Sequence, residues 1–211
     1  MDLLLAFVDI VLHLDRYVQQ LVELYGVWIY VILFAIVFSE TGFVVTPFLP
    51  GDSLLFVAGA VAALGGMHLG LLMLLLIVAA TTGNMLNYQI GRYLGPRVFS
   101  WENSRFFNKA ALEKTHQFYE RHGGKTLVIS RFLPLLRTFA PFVAGVGAMH
   151  YPRFAAYNLF GAVLWVLSLT LAGYFFGNLP WVQRNLSAVI VGIIVVSLIP
   201  AIVGWLRQRS V

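Results

Sequence analysis

Three stretches of this sequence contain no aspartate, glutamate, lysine or arginine: Ser53 to Gly91, Phe154 to Gln183, and Asn185 to Leu206. Each exceeds the roughly 20 residues that a helix needs to cross bilayer hydrocarbon. Only 11% of the 211 residues are charged, against about 25% in an ordinary soluble domain. The expectation is an all-α membrane protein with several spans.

The remaining composition narrows the function classes. The net charge of +5 reads as topology and attraction to anionic membrane lipids, because no basic cluster interleaved with stacking aromatics points to nucleic acid. There is no cysteine, which excludes disulfides, thiolate catalysis and cysteine metal sites. No metal or cofactor motif is expected. The opening "MDLLLAFVDIVLHLDRY" lacks the basic region and small-residue cleavage site of a signal peptide, so it is expected to stay on the protein.

Along the chain, residues 2–24 read as an amphipathic helix. Asp2, Asp9, His13, Arg16, Gln20 and Glu23 form one polar stripe at spacings of 7, 4, 3, 4 and 3. That suits a helix lying in the interface, or a spanning helix whose stripe faces protein. Residues 27–65 read as a re-entrant hairpin, two half-length apolar segments around Pro47, Pro50 and Gly51. Non-helical backbone at membrane depth survives only where protein or a water-filled cavity satisfies it. A span is expected over 68–91. Residues 92–124 are polar and rich in lysine and arginine, which places them on the cytoplasmic side. Their His116 and His122 fit a solvated helix face. Residues 125–149 read as a second hairpin, interrupted by Pro134 and Pro141, and spans follow at 154–177 and 185–206.

The two halves resemble each other. "FVAG" occurs at 56–59 and 142–145, and "MH" at 67–68 and 149–150. From His68 to Gly91 and Gly95 is 23 and 27 residues, as it is from His150 to Gly173 and Gly177. Each unit would be a hairpin followed by a spanning helix, and the two would enter from opposite faces. That inverted repeat is the architecture of many secondary transporters, whose sites lie at broken segments near the midplane.

Four charges fall within the hairpins: Glu40 and Asp52 around the first turn, Arg131 and Arg137 around Pro134. An isolated charge at the bilayer centre costs roughly 2.5–3.5 kcal/mol or more, so each is a functional candidate. One reading is a buried ion pair that only holds the hairpins together. The other is an anion site, because the planar guanidinium fork suits phosphate and broken helices add unpaired N–H groups. Glu40 and Asp52 would then be counter-ions and proton-coupling groups. His68 and His150 fit helix caps near span ends, the glycine series 83, 91, 95 and 161, 173, 177 fits close helix packing, and Thr81, Thr82, Asn84 and Asn87 fit bonds across helices. The chain has no "HExxH", "GxSxG" or P-loop, and no enzymatic activity is expected.

The runs "FSETGFVVTPFLPGDSLLFVAG", "GNMLNYQIGRYLG" and above all "SRFLPLLRTFAPFVAGVGAM" resemble the bacterial DedA family, related to the eukaryotic VTT-domain lipid scramblases, over about residues 25–180. The resemblance implies an inner-membrane protein with two opposed re-entrant hairpins. It implies a flippase that returns undecaprenyl phosphate, or a similar polyprenyl-phosphate carrier, across the membrane for recycling. On this view the phosphate binds Arg131 and Arg137, while Glu40 and Asp52 are the functional acids. The chain departs from the family at Gly83-Asn84, where many members carry Gly-Asp, which removes one potential proton site. A proton–cation antiporter, in which the acids bind the cation, and a membrane-homeostasis protein with purely structural charges remain as alternatives.

Overall fold

The computed structural model describes residues 26–43, 51–98, 124–177 and 179. The segments expected at 2–24 and 185–206, most of the polar stretch 92–124, and the turn prolines Pro47 and Pro50 lie outside the described residues. Within them the protein is wholly helical, with no strand. The helices are α1 (Trp28–Gly42), α2 (Gly51–Ala63), α3 (Leu69–Val98), α4 (Lys125–Ser130), α5 (Pro134–Val146) and α6 (Tyr151–Phe176).

The sequence accounts for their limits. Asp52 in the first turn of α2 favours helix start there, since a carboxylate complements the positive end of the helix dipole. At its other end Gly65 adopts a left-handed φ of 85°. Gly66 N–H donates to Val61 O and Gly65 N–H to Ala62 O, both at 3.1 Å, the Schellman arrangement that satisfies a helix's last carbonyls. Pro134 opens α5, where its missing N–H costs nothing and its fixed φ is already helical. α5 ends as α2 does, with Met149 N–H donating to Ala144 O at 3.0 Å. Here, however, an alanine, Ala148, takes the left-handed φ of 51°.

α3 and α6 are long and apolar enough to cross a membrane over Leu69–Gly95 and Tyr151–Phe176. Their exteriors agree. Leu71, Leu74 and Val78 are exposed on α3, and Leu159, Phe160 and Leu164 on α6, surfaces that suit hydrocarbon. α1, α2 and α5 are apolar but shorter.

The chain divides into two compact units. One comprises Met1–Ile36, Phe48–Leu76 and Trp165–Val211, the other Val37–Pro47 and Ile77–Leu164. In the first, α2 lies against the second half of α6. A Cβ on Gly59 would collide with Thr170 O, one on Gly173 with Phe56 O, and one on Gly177 with Ala60. In the second, α5 lies against α3 by the same pattern. A Cβ on Gly145 would collide with Tyr88 O, one on Gly91 with Phe142 O, and one on Gly95 would sit 3.1 Å from Val146 Cα. The two "FVAG" helices therefore make equivalent glycine-lined contacts, each with the long helix from the other half of the sequence. Tyr88 completes the second unit's core, stacked on Phe154 with ring centroids 4.2 Å apart, and its hydroxyl donates to Met149 O.

These contacts leave no room for a methyl group. Gly91→Ala and Gly173→Ala should each destabilise the detergent-solubilised protein by about 1–3 kcal/mol, the usual cost of overpacking. Gly70→Ala meets only the His68 ring at 3.5 Å and should not destabilise it. Equal melting temperatures for all three would show that the ladders do not set the packing. Ala148→Gly should act the other way. Relief of the left-handed strain, less glycine's larger unfolded entropy, is worth up to about 1 kcal/mol of added stability on the same melt.

Candidate functional site

Gly83 brings α1 and α3 together in the second unit. A Cβ there would strike Thr41 Oγ1 and Phe38 O, and Gly42 itself lies 3.5 Å from Gly83 by the same measure. This approach puts Asn84 and Asn87, one and four residues on, beside the last turn of α1.

Glu40 lies in that last turn, at the helix end where the dipole disfavours a carboxylate. Arg137 lies near the start of α5, at the end where the dipole disfavours a cation. Each is misplaced on its own helix, and they pair with each other: Arg137 Nη2 donates to Glu40 Oε1, with both side chains buried. Asn87 reinforces the junction. Its Nδ2 donates to Thr41 O at 3.1 Å and to Thr138 O at 2.8 Å, the carbonyls of the residues that follow each partner of the pair. The first is among the four carbonyls that the end of a helix leaves unsatisfied. Pro141 lies inside α5, and its missing N–H withdraws the helical donor that Arg137 O would otherwise receive.

Arg131 ends α4 at the break before α5 and is 4% exposed. Its Nη2 donates to Asn158 Oδ1 at 2.6 Å and to Asn158 O at 3.3 Å. Asn158 on α6 is fixed in turn by its Nδ2, which donates to Thr81 O at 2.9 Å. Asn84 can be oriented in two ways. In one, Nδ2 donates to Asn158 Oδ1 at 3.0 Å. In the other, Oδ1 accepts from Arg131 Nη2 at 2.7 Å and Nδ2 donates to Thr41 O at 3.2 Å. A guanidinium can only donate and a carbonyl can only accept, so the second orientation suits Arg131 and Thr41, although it sets Asn84 Oδ1 3.0 Å from Asn158 Oδ1. Two amide oxygens then converge on Arg131. Gly161 gives the arginine its room, since a Cβ there would lie 3.0 Å from Arg131 Cδ and 3.1 Å from Nε.

Of the four charged residues expected to form the site, Glu40, Arg131 and Arg137 belong to one compact unit. Asp52 belongs to the other, where it accepts a hydrogen bond from Trp165 Nε1 at 2.9 Å. Gly51 is the first residue of α2. Asn84 and Asn87 bond across helices. Thr82 does not: its hydroxyl turns back to Val78 O of its own helix at 2.7 Å, the usual resort of a threonine inside a helix. His68 precedes α3, where its Nδ1 accepts from Leu71 N–H at 3.4 Å and its own N–H donates to Tyr30 OH at 2.7 Å. Asn158, in the second unit, and Trp165, in the first, are residues that sequence reasoning does not single out. The available signal is polarity, an amide and an indole N–H inside a long uncharged window, each of which needs a partner when buried. Among the described residues no three His, Cys, Asp or Glu side chains lie close enough to hold a metal ion.

Long apolar-faced helices around a buried ion pair and an amide-held arginine define a membrane protein with an internal polar site. Comparison with known proteins is specific. The VTT domain matches residues 49–175. Protein DedA of Escherichia coli strain K12 is 56% identical over 211 residues, 99% of this chain and 96% of that protein. An uncharacterised membrane protein of Mycobacterium leprae is 44% identical over 176 residues, 83% of this chain and 79% of its own. The Escherichia coli inner membrane protein YqjA is 38% identical over 154 residues, covering 72% and 69%. No solved structure matches the chain. The chain belongs to the DedA family of VTT-domain membrane proteins.

If the ion pair is a unit, its halves should be worth less than the whole. Removing one buried partner strands the other and costs about 3–5 kcal/mol, whereas replacing both with apolar side chains is often near neutral. Glu40→Leu and Arg137→Met should each lower the melting temperature sharply, and the double variant should regain most of the loss. Additive losses would mean that the two charges are held independently.

Proposed function

We propose that this protein is a lipid transporter that moves undecaprenyl phosphate, or a similar polyprenyl phosphate, across the bacterial inner membrane for reuse. The observation that carries the reading is the pair of buried guanidiniums, Arg131 and Arg137, at the broken segment between α4 and α5. Glu40 offsets only one of these two buried cations, and a phosphate monoester is an anion that the planar guanidinium fork fits well. The polyprenyl chain would remain in lipid alongside the apolar helix faces while the headgroup enters the polar site.

Arg131 and Arg137 hold the phosphate in this scheme. Glu40 neutralises Arg137 when no headgroup is present, and Asp52, at the start of α2, is the second acid of the cycle. For phosphate to engage a paired guanidinium, the carboxylate must either move away or take up a proton. That exchange makes proton-coupled transport chemically available. The equivalent glycine contacts of α2 and α5 support an inverted repeat, with the two hairpins entering from opposite faces, and the excess of lysine and arginine assigns residues 92–124 and the C-terminus to the cytoplasm. Reporter fusions at Asn108 and after Val211 should therefore report the same face; opposite faces would remove the two-hairpin arrangement.

The direct test is reconstitution in vesicles, with leaflet-selective detection of a labelled polyprenyl phosphate. Wild type should equilibrate the label. Arg131→Lys and Arg137→Lys should lose most of that activity at normal expression, because lysine offers a point charge where bidentate geometry is needed. Asp52→Asn should bind the lipid but transport it slowly. Wild-type rates in both lysine variants would reduce the arginines to diffuse electrostatics, and no transfer by wild type would remove the lipid reading.

A further inference from the structure

Trp165 is 2% exposed and lies in the first unit, where the second half of α6 meets α2. Its Nε1–H can only donate, and an indole buried without an acceptor is costly. The acceptor here is a carboxylate oxygen, Asp52 Oδ1, at 2.9 Å in the first turn of α2. A hydroxyl or a backbone carbonyl would satisfy the indole without bringing a charge inward. A charged acceptor makes a stronger bond, and it ties a half-buried acid to a large, rigid side chain. The packing further along both helices fixes their register. A Cβ on Gly59 would strike Thr170 O, and one on Gly173 would strike Phe56 O, contacts that resist sliding of α2 past α6. Trp165 therefore stays level with Asp52. A first-turn aspartate otherwise has the open N–H groups of its own helix within reach. A donor on a second helix narrows that choice.

We infer that Trp165 is a positioning residue of the transport cycle: its indole N–H holds the Asp52 carboxylate in one orientation within the first unit. The inference rests on the proposed transport of a phosphate-headed lipid, with Asp52 as its second acid. It names the residue that keeps that acid in place. The ring of Trp165 packs the unit, whereas its N–H orients the acid. The two contributions separate chemically, because benzothienylalanine has sulfur where the indole has N–H and keeps the bicyclic ring.

The test compares wild type with Trp165→Phe, and with benzothienylalanine installed in place of Trp165, in phosphatidylcholine vesicles carrying a labelled polyprenyl phosphate. Both should bind the lipid as wild type does and transfer it about tenfold more slowly, the scale of one lost hydrogen bond to a charged group. In an Asp52→Asn background neither change should slow transfer further, since the charge being oriented is gone. The bond itself is read without lipid, in detergent, from the Trp165 indole N–H proton resonance, identified by its loss in the sulfur isostere. That resonance should move upfield in Asp52→Leu. An isostere that transfers at the wild-type rate, equal slowing in both backgrounds, or an unmoved resonance would each overturn the inference. If Trp165→Phe fails to fold, the isostere decides, because it keeps the ring that packs the unit; an isostere that fails to fold would assign the bond to folding and overturn the inference too. Wild type that transfers no lipid removes the transport reading and this inference together. Wild-type transfer with an unaffected isostere removes the inference alone.

Discussion

Glu40 and Arg137 each sit at the wrong end of a helix, and their pairing is the constraint around which the second unit is organised. A carboxylate in the last turn of α1 and a guanidinium in the first turns of α5 oppose their own helix dipoles. Both are buried. Neither placement is tolerable alone. Together they join the carboxyl end of α1 to the amino end of α5, and Asn87 locks the join by donating to a carbonyl on each side of it. The backbone groups that a helix end strands in an apolar medium are satisfied by the same contacts that fix the charges. Position and satisfaction have one solution here.

Close glycine contacts set the helix packing within each unit. Between apolar helices in a lipid setting there is little hydrophobic drive for association, so close packing and hydrogen bonds must supply it. Glycine is how this chain obtains both. Gly83 lets α1 approach α3, Gly91, Gly95 and Gly145 let α5 approach α3, and Gly59, Gly173 and Gly177 let α2 approach α6. These contacts pair each "FVAG" helix with the long helix from the opposite half of the sequence. Each compact unit is thus assembled from both halves of the chain, so neither half of the sequence amounts to a unit by itself.

The polar residues of the site fall into two chemical kinds. Within the second unit a carboxylate answers Arg137, whereas amide oxygens answer Arg131. The difference matters because a carboxylate cancels a guanidinium's charge, whereas an amide oxygen satisfies its N–H groups and leaves the charge in place. The chain combines one of each, and the helix break ahead of Pro134 sets the two arginines on opposite sides of a single interruption.

The sequence by itself determined the class. Windows without charge leave few alternatives to apolar helices, and charges confined to the borders of proline-interrupted apolar segments are enough to mark Glu40, Asp52, Arg131 and Arg137 as candidates. The glycine spacings also announce that backbones approach closely. They do not say which backbones. A glycine face records that something lies against it, and two nearly equivalent faces can be satisfied by either partner, so the exchange between halves is settled only by three-dimensional packing. The pairing of an acid with an arginine is likewise invisible in the sequence, because Glu40 and Arg137 are 97 residues apart and Coulomb attraction depends on distance in space. Asn158 carries no mark for a related reason. A lone asparagine in a span can bond to any polar group it meets, and only the folded chain decides that the group is Arg131.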